Sequence, residues 1–162
     1  MKILSYVIPT ILLGIIYFNR NPQRNIPIGD NIVSPADGTI QNISNNNIEI
    51  FIDITDVHYQ RSPADGEVIN ITNLPNIQKP MYNVIELSTP FGHIWIERWA
   101  GELARTVTTI VKPYQYVKKG DTIGRILLGS HVSITIPPYL EIKVKPYQHL
   151  TAGETIIAAP IT

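Results

Sequence analysis

One histidine, one serine and a repeated acidic turn are the residues of this chain whose types and spacing suggest catalysis. The pentapeptide Ser-Pro-Ala-Asp-Gly occurs at Ser34–Gly38 and again at Ser62–Gly66, and the second copy closely follows His58. Farther along, Ser130 follows a glycine at the end of an apolar run. A serine becomes a nucleophile when a base lies within hydrogen-bond reach and a carboxylate orients that base. Ser130, His58 and the two aspartates of the repeat, Asp37 and Asp65, are therefore the candidate catalytic residues.

The same residues also have a purely structural interpretation. Proline, aspartate and glycine in sequence favour a tight turn, because proline fixes φ, aspartate bonds to nearby backbone and glycine tolerates positive φ. A glycine before Ser130 is typical of a kink or bulge in a strand. Spacing alone favours the structural interpretation, and the combination with His58 and the two aspartates favours the catalytic one.

Composition excludes several other classes of protein. The 162 residues suggest a single domain that is large enough for a core. Thirteen basic and thirteen acidic residues give zero net charge, which argues against binding of nucleic acid. The absence of cysteine excludes disulfides and thiolate sites, and no paired-histidine motif predicts a metal site.

The N-terminus differs in composition from the rest of the chain. Ile3–Phe18 carries no charge and contains Pro9, which would kink a helix. As a helix this run would span about 24 Å, against about 30 Å for the hydrocarbon core of a bilayer. A cleaved signal peptide is the alternative, but no small-residue cleavage site follows. Residues 1–24 are therefore predicted to anchor the chain to a membrane, and Arg20 and Arg24 favour a cytoplasmic domain after the anchor.

Residues 25–162 are predicted to form one all-β domain. Short β-branched runs recur about every dozen residues with turn residues between them, as in a sandwich or barrel. Glu97–Arg105 is ambiguous and is compatible with a strand, a loop or a short helix. The predicted strands are Ile40–Ile43, Ile48–Ile54, Val68–Ile71, Asn83–Leu87, Ile94–Trp99, Thr106–Val111, Ile123–Leu128, Val132–Ile136 and Leu140–Val144.

A longer repeat supports this fold class. Val111–Ile123 and Val144–Ile156 both contain Lys-Pro-Tyr-Gln followed by a Gly-Asp or Gly-Glu turn and another apolar run. The pattern resembles the duplicated hammerheads of lipoyl and biotinyl domains, which have a barrel-sandwich fold. Those carriers need a lysine in a Met-Lys-Met or similar context, which this chain lacks. A swinging-arm carrier is therefore not expected.

Five motifs in a fixed order resemble the short-form phosphatidylserine decarboxylase proenzymes. They cover most of the chain, and their order makes the resemblance far more specific than any single motif. The matching segments are Tyr17–Pro27, Val33–Gly38, Asp56–Pro63, Ala100–Arg105, and Gly120–Gly124 followed by Gly129-Ser130.

The resemblance implies a self-processing enzyme. Ser130 would attack the carbonyl of Gly129, and elimination with loss of ammonia would convert Ser130 into a pyruvoyl cofactor. The products would be a β chain, residues 1–129, and an α chain, residues 130–162. The pyruvoyl carbonyl would act as an electron sink for the carbanion left by loss of CO2. His58 is then the candidate acid that reprotonates this carbon.

Arg61 stands where long-form relatives carry a second histidine, so the role of base falls to His58 or to Asp37. The first aspartate of the repeat, Asp37, is expected to orient or to be that base, whereas Asp65 is expected to serve only its turn. Arg61 cannot titrate usefully and is assigned to the substrate carboxylate or phosphate. Arg105 is a weaker candidate for the same role.

The resemblance therefore implies conversion of phosphatidylserine to phosphatidylethanolamine and CO2 at a cell membrane. The lipid tails, diacyl or ether, are not determined by the sequence, and the family suggests a homodimer. The rival hypothesis is an inert, membrane-anchored barrel-sandwich homologue that binds lipid or serves as a scaffold.

Overall fold

The structure is a computed structural model that describes residues 4–74, 82–101, 106–127 and 130–161. These ranges hold the helix α1, Leu4–Phe18, and short strands that are mostly joined by tight turns. The strands are β1 (Ile32–Val33), β2 (Gly38–Ser44), β3 (Asn47–Ile52), β4 (Tyr59–Arg61), β5 (Gly66–Leu74), β6 (Tyr82–Thr89), β7 (Gly92–Trp99), β8 (Val107–Thr109), β9 (Tyr116–Val117), β10 (Thr122–Ile126), β11 (Ser130–Thr135), β12 (Leu140–Ile142), β13 (His149–Leu150) and β14 (Ile156–Pro160).

The strands form three sheets around one apolar core. The largest has eight strands in the order β13-β2-β3-β11-β7-β6-β5-β9, and the others have the orders β1-β14-β12 and β4-β10-β8. Burial alternates along β3 and β6, because successive side chains of a strand point to opposite faces. The core residues include Ile50, Ile85, Ile96, Val132 and Ile134. The fold is mainly β, as the sequence predicts.

Each apolar run predicted as a strand contains or overlaps an observed one, from Ile40–Ile43 within β2 to Leu140–Val144, which includes β12. The ambiguous segment Glu97–Arg105 begins as a strand, since β7 continues to Trp99. Residues 102–105 lie outside the described part of the chain.

The two Lys-Pro-Tyr-Gln segments adopt the same conformation. Tyr114 and Tyr147 have φ values of 67° and 66°, in the left-handed region that non-glycine residues rarely occupy. The amide of Tyr114 donates to the carbonyl of Val68 at 2.7 Å, and that of Tyr147 donates to Ile40 at 2.9 Å. The sequence repeat is therefore also a structural repeat.

The two Ser-Pro-Ala-Asp-Gly segments also share one local structure. The Ser34 hydroxyl donates to the carbonyl of Ala36 at 2.6 Å, and the Ser62 hydroxyl donates to Ala64 at 2.7 Å. All four residues are buried. Each serine thus closes the turn of its own pentapeptide, as the turn chemistry predicts.

Each pentapeptide is hydrogen-bonded to a glycine of one of the two longer repeats, Val111–Ile123 and Val144–Ile156. The amide of Gly120 donates to the carbonyl of Ser62, and that of Gly153 donates to Ser34, both at 2.8 Å. A Cβ on Gly120 would lie 2.3 Å from Cδ1 of Ile26, and one on Gly153 would lie 3.1 Å from the same atom. Ile26 therefore packs against both repeats, and it brings the segment after α1 onto the β domain.

The N-terminal apolar run forms a helix, as predicted. The helix carries exposed apolar side chains, among them Ile11, Leu13 and Ile16. Its C-terminal end is attached to the β domain by Arg20, whose Nη2 donates to the carbonyl of Thr55 at 2.6 Å. Among the described residues, no helix has the length and apolar character needed to cross a bilayer. A membrane role for this segment stays a prediction.

Candidate active site

Ser130 is the first residue of β11, which lies inside the eight-stranded sheet between β3 and β7. In the register with β3 it is opposite Ile52. Its side chain is fully buried, and its Oγ has no hydrogen-bond partner among the described residues. A buried hydroxyl usually has a partner, so this one is available for chemistry at its own backbone. Gly129, the predicted cleavage residue before it, lies outside the described residues.

His58 lies just before β4 and is also fully buried. Its Nδ1 is 3.0 Å from the carbonyl oxygen of Asp56. A carbonyl only accepts hydrogen bonds, so Nδ1 carries the hydrogen and Nε2 keeps its lone pair. Nε2 is buried and has no partner among the described residues. The imidazole is therefore arranged as a base with a free acceptor nitrogen.

The surroundings of His58 favour its neutral form. Burial lowers the pKa of His58 below its usual value of 6.5, and the nearby Arg125 and Arg20 lower it further. The hydrogen bond to the Asp56 carbonyl and the Asp56 charge act in the opposite direction and do not cancel the effect. His58 is consequently able to accept a proton at neutral pH.

The Asp56 carbonyl is held in place by the side chain of the same residue. One oxygen, Oδ2, accepts the amide hydrogen of Asp53 at 2.8 Å, and the other, Oδ1, lies 2.9 Å from Nε2 of His149. These contacts fix the turn before His58 and thereby the orientation of its ring. The sequence assigned no role to His149, and nothing in its local pattern indicates this contact.

Asp37 is held in a buried ion pair and by a backbone amide. Both of its oxygens accept from Nη2 of Arg24, at 3.0 and 2.9 Å, and Oδ1 also accepts the amide hydrogen of Ala152 at 2.7 Å. The two side chains of this ion pair are about nine-tenths buried. No hydrogen bond joins Asp37 to His58 or Ser130 among the described residues.

Arg61 belongs to the same region as Asp37. Its Nη1 donates to the carbonyl of Gly120 at 2.8 Å, while Nη2 donates to Oδ1 of Asn21 at 2.6 Å and to the carbonyl of Pro22 at 2.8 Å. Burial and the adjacent Arg24 lower the pKa of Arg61. These bonds attach the segment after α1 to the β domain. Arg105, the other predicted substrate-binding arginine, lies outside the described residues.

A pocket of about 410 Å³ lies where this segment meets the β domain. Arg24 and Arg61 both line it, and each has a buried Nε without a hydrogen-bond partner in the described part of the chain. The full lining is Asn21, Pro22, Gln23, Arg24, Ile26, Arg61, Lys119, Gly120, Asp121 and Thr122. Arg61 is thus positioned at a cavity that an anionic group could enter.

The structure therefore divides the predicted site residues into two groups. Asp37 and Arg61 lie together around Arg24. His58 lies with Arg125 and beside the end of α1, where the Phe18 ring centroid is 4.1 Å from that of His58. The backbone links His58 to the strand that leads toward Ser130, because the amide of Ile126 donates to the His58 carbonyl at 3.0 Å.

Sequence reasoning missed the roles of two arginines. It used Arg24 as part of the basic stop after the anchor and of the family segment Tyr17–Pro27, but did not pair it with Asp37, because an ion pair with a distant aspartate leaves no local pattern. Arg125 interrupts the apolar run Gly124–Leu128. A charged residue within an apolar strand was the one signal in the sequence that could have indicated a functional role for it.

Comparisons with known proteins identify the family of the chain. The sequence model of the phosphatidylserine decarboxylase family matches residues 12–158. A Methanosarcina barkeri protein described as an archaetidylserine decarboxylase proenzyme is 30% identical, over 95% of this chain and 81% of its own length. A phosphatidylserine decarboxylase proenzyme of Streptomyces griseus is 32% identical, over 94% of this chain and 78% of its own length. No solved structure matches the chain. The chain belongs to the phosphatidylserine decarboxylase family.

Proposed function

We propose that this chain is a self-processing, pyruvoyl-dependent decarboxylase that converts phosphatidylserine to phosphatidylethanolamine and CO2. The observation that carries the proposal is the buried Ser130 hydroxyl, which has no hydrogen-bond partner among the described residues and begins a central strand directly after Gly129. This is the residue that the family resemblance assigns to self-cleavage.

The cleavage chemistry uses the chain's own atoms. Oγ of Ser130 attacks the carbonyl carbon of Gly129, the C–N bond breaks, and an ester replaces the peptide bond. Removal of the Ser130 α-proton then expels the Gly129 carboxylate and leaves dehydroalanine. Water replaces the nitrogen, which leaves as ammonia, and residue 130 becomes the pyruvoyl group. A carbonyl of this kind supplies an electron sink for decarboxylation.

His58 is the base that the geometry favours over Asp37. Its neutral ring has a free Nε2 lone pair, whereas both oxygens of Asp37 are occupied by Arg24 and one of them also by the Ala152 amide. We propose that His58 accepts a proton during self-cleavage and donates one to the substrate carbon after CO2 leaves. Asp37 then acts indirectly, by neutralising Arg24 and holding the turn at Ala152.

Arg61 remains the proposed binding residue for a substrate anion in the pocket, and Arg105 is proposed for the same role. The pocket supports this for Arg61, because two arginines and Lys119 line it. Its bonds to Asn21 and Pro22 give Arg61 a second task, which is to hold the segment after α1 in place.

Residues 1–24 are proposed to anchor the enzyme at the cytoplasmic face of a membrane. The exposed apolar residues of α1 support this, and so does the contact between Phe18 and His58, which would bring the site to the level of the lipid headgroups. The matched hairpins support a barrel-sandwich arrangement for residues 25–162, with a β chain of residues 1–129 and an α chain of residues 130–162. A homodimer is proposed from the family alone.

The relatives include both phosphatidylserine and archaetidylserine decarboxylase proenzymes, so the preferred lipid of this enzyme has to be determined by experiment. Both lipids share the serine headgroup on which the chemistry acts. Vesicles of each lipid, supplied to the purified enzyme, would establish which is decarboxylated faster.

The decisive experiment compares the wild-type chain with Ser130→Ala. The wild type should be cut into two fragments that meet at Gly129-Ser130, with an α chain lighter by one ammonia than a serine-terminated peptide. Ser130→Ala should stay intact and inactive, while the control Ser133→Ala, on the same strand, should be cut. An intact wild-type chain after purification from membranes would contradict the proposal and favour an inert scaffold.

A further inference from the structure

Arg125 is a cation for which the described residues supply no anion. It is the next-to-last residue of β10, opposite Tyr59 of β4 and Thr108 of β8. Its guanidinium carbon is 5.3 Å from the ring centroid of Tyr59 and 5.9 Å from that of Phe18. Its Nε is buried without a hydrogen-bond partner, and the ion pairs of the described residues do not include it.

Arg125 and His58 share one site. The Phe18 ring contacts both side chains, and the positive charge of Arg125 acts on His58. Each of the two residues presents a buried nitrogen without a partner in the described part of the chain, Nε of Arg125 and Nε2 of His58. Nε of Arg125 is a hydrogen-bond donor and Nε2 of His58 is an acceptor. Together they suit a ligand that carries an anionic group and a proton that His58 can accept.

The other charges that act on His58 are already engaged. Arg20 donates to the carbonyls of Tyr17 and Thr55. Asp56 is occupied by His149 and by the Asp53 amide. Among the described residues, the positive charge of Arg125 faces the half-buried rings of Phe18 and Tyr59 and has no anionic partner, so a ligand could supply the opposite charge.

We propose that Arg125 binds the phosphodiester of the lipid headgroup and thereby places the headgroup beside His58. This rests on the proposed function. The substrate carries two anions, a carboxylate and a phosphodiester. A cation on the carboxylate would stabilise the group that has to leave as neutral CO2, and would oppose the reaction, so the anion proposed for Arg61 is also the phosphate. The phosphodiester keeps its charge throughout the reaction, so a cation bound to it stabilises the substrate and the transition state equally and does not raise the barrier.

The test measures binding separately from decarboxylation. The uncut Ser130→Ala chain, alone or with Arg125→Met, Arg125→Lys or Lys145→Met, is titrated calorimetrically with short-chain phosphatidylserine, phosphatidylcholine and diacylglycerol. Arg125→Met should weaken binding of both phospholipids about 10- to 100-fold, the range of a charge-assisted hydrogen bond. Arg125→Lys should restore part of this affinity. Lys145→Met, which removes an exposed positive charge, should bind like the parent, and diacylglycerol should not distinguish the variants.

The processed enzyme supplies two further measurements. Arg125→Met should still be cut and should melt at the parent temperature or above, because the arginine makes no hydrogen bond or ion pair with the described residues that the change would break. It should raise KM more than it lowers kcat. The alkaline limb of the rate profile should move to higher pH, because His58 donates a proton during turnover and removal of a neighbouring cation raises the pKa of His58.

Each outcome decides the inference. Loss of affinity for phosphatidylserine alone would assign Arg125 to the carboxylate and overturn the phosphodiester assignment. Unchanged affinity for both phospholipids, or no phospholipid binding by the Ser130→Ala chain, would also overturn it. A wild type that binds phosphatidylcholine in an Arg125-dependent way but neither cuts itself nor releases CO2 would refute the proposed function and leave this inference standing.

Discussion

The two Ser-Pro-Ala-Asp-Gly segments are identical in sequence and in local hydrogen bonding, yet their aspartates have opposite environments. Asp37 is buried and paired with Arg24, while Asp65 is exposed and accepts the amide hydrogen of Lys119 at 2.7 Å. The backbone contacts match, since Ala152 donates to Asp37 in the same way. The difference comes from outside the repeat, from Arg24 in the segment after α1, which pairs with the aspartate of the first copy. A repeated motif can therefore acquire two roles without any change in its own residues.

The largest expected difference is between Asp37→Asn and Asp65→Asn. Asparagine keeps the acceptor for the backbone amide in both turns, so the change removes only the charge. In the first copy it leaves Arg24 buried without its partner, and we expect the free energy of unfolding to fall by about 3 kcal/mol. In the second copy we expect a change below about 0.5 kcal/mol. Urea denaturation measures both, and gels should show slower self-cleavage for Asp37→Asn alone.

The matched control adds Arg24→Met to Asp37→Asn. Removal of both charges should recover much of the lost stability, since the cost lies in the unpaired guanidinium. Equal effects of the two asparagine variants, or no recovery in the double variant, would mean that the ion pair does not distinguish the two copies.

The final glycines of the two copies should be nearly equivalent. A Cβ on Gly38, whose φ is +143°, would lie 2.2 Å from the carbonyl oxygen of Phe51. One on Gly66 would lie 2.4 Å from the carbonyl oxygen of Ser88. Both obstacles are backbone atoms, so each alanine variant should lose about 1–3 kcal/mol of stability, with Gly38→Ala at least as affected. Midpoints of denaturation would check this, and a large loss at only one glycine would break the equivalence.

The serines of the two copies provide a smaller comparison. Each hydroxyl makes one short bond to the carbonyl two residues later, and both serines are fully buried. Ser34→Ala and Ser62→Ala should each cost about 1 kcal/mol, the usual net value of such a bond. Thermal melts of the two variants should shift by similar amounts. A shift in only one of them would show that the surroundings, and not the turn, determine the value of the bond.

The smallest expected effect concerns the residue four positions before each copy, His58 for the second and Asp30 for the first. The pKa of His58 is lowered in the folded chain, so the unfolded chain takes up the proton first as pH falls. Stability contributed by the neutral ring is therefore complete above about pH 6.5 and declines below it. The free energy of unfolding, measured between about pH 5 and 7, should lose this slope in His58→Gln and keep it in Asp30→Asn.

Many strands and hairpins of this fold can be predicted from local sequence patterns, whereas the contacts of the candidate site cannot. Alternation of apolar residues identifies strands such as β6 and β11, because burial of one face imposes that period. The Lys-Pro-Tyr-Gln repeat likewise identifies its two hairpins. The ion pair of Arg24 with Asp37 has no such pattern, since it depends on where the chain after α1 crosses the β domain. Likewise, the free position of Nε2 on His58 follows from a bond to one particular carbonyl, which no spacing encodes.

The position of β11 has a consequence for the processed molecule. The proposed α chain begins with β11, which is paired with β3 and β7, and it also supplies β13 and β14, which pair with β2 and β1. Once cut, the molecule would be a two-chain complex with strands of both chains interleaved in one sheet. Its unfolding would then release two separate molecules, so its melting temperature should rise with protein concentration, whereas that of the uncut Ser130→Ala chain should not. Self-cleavage would thus convert a folding equilibrium into an association equilibrium.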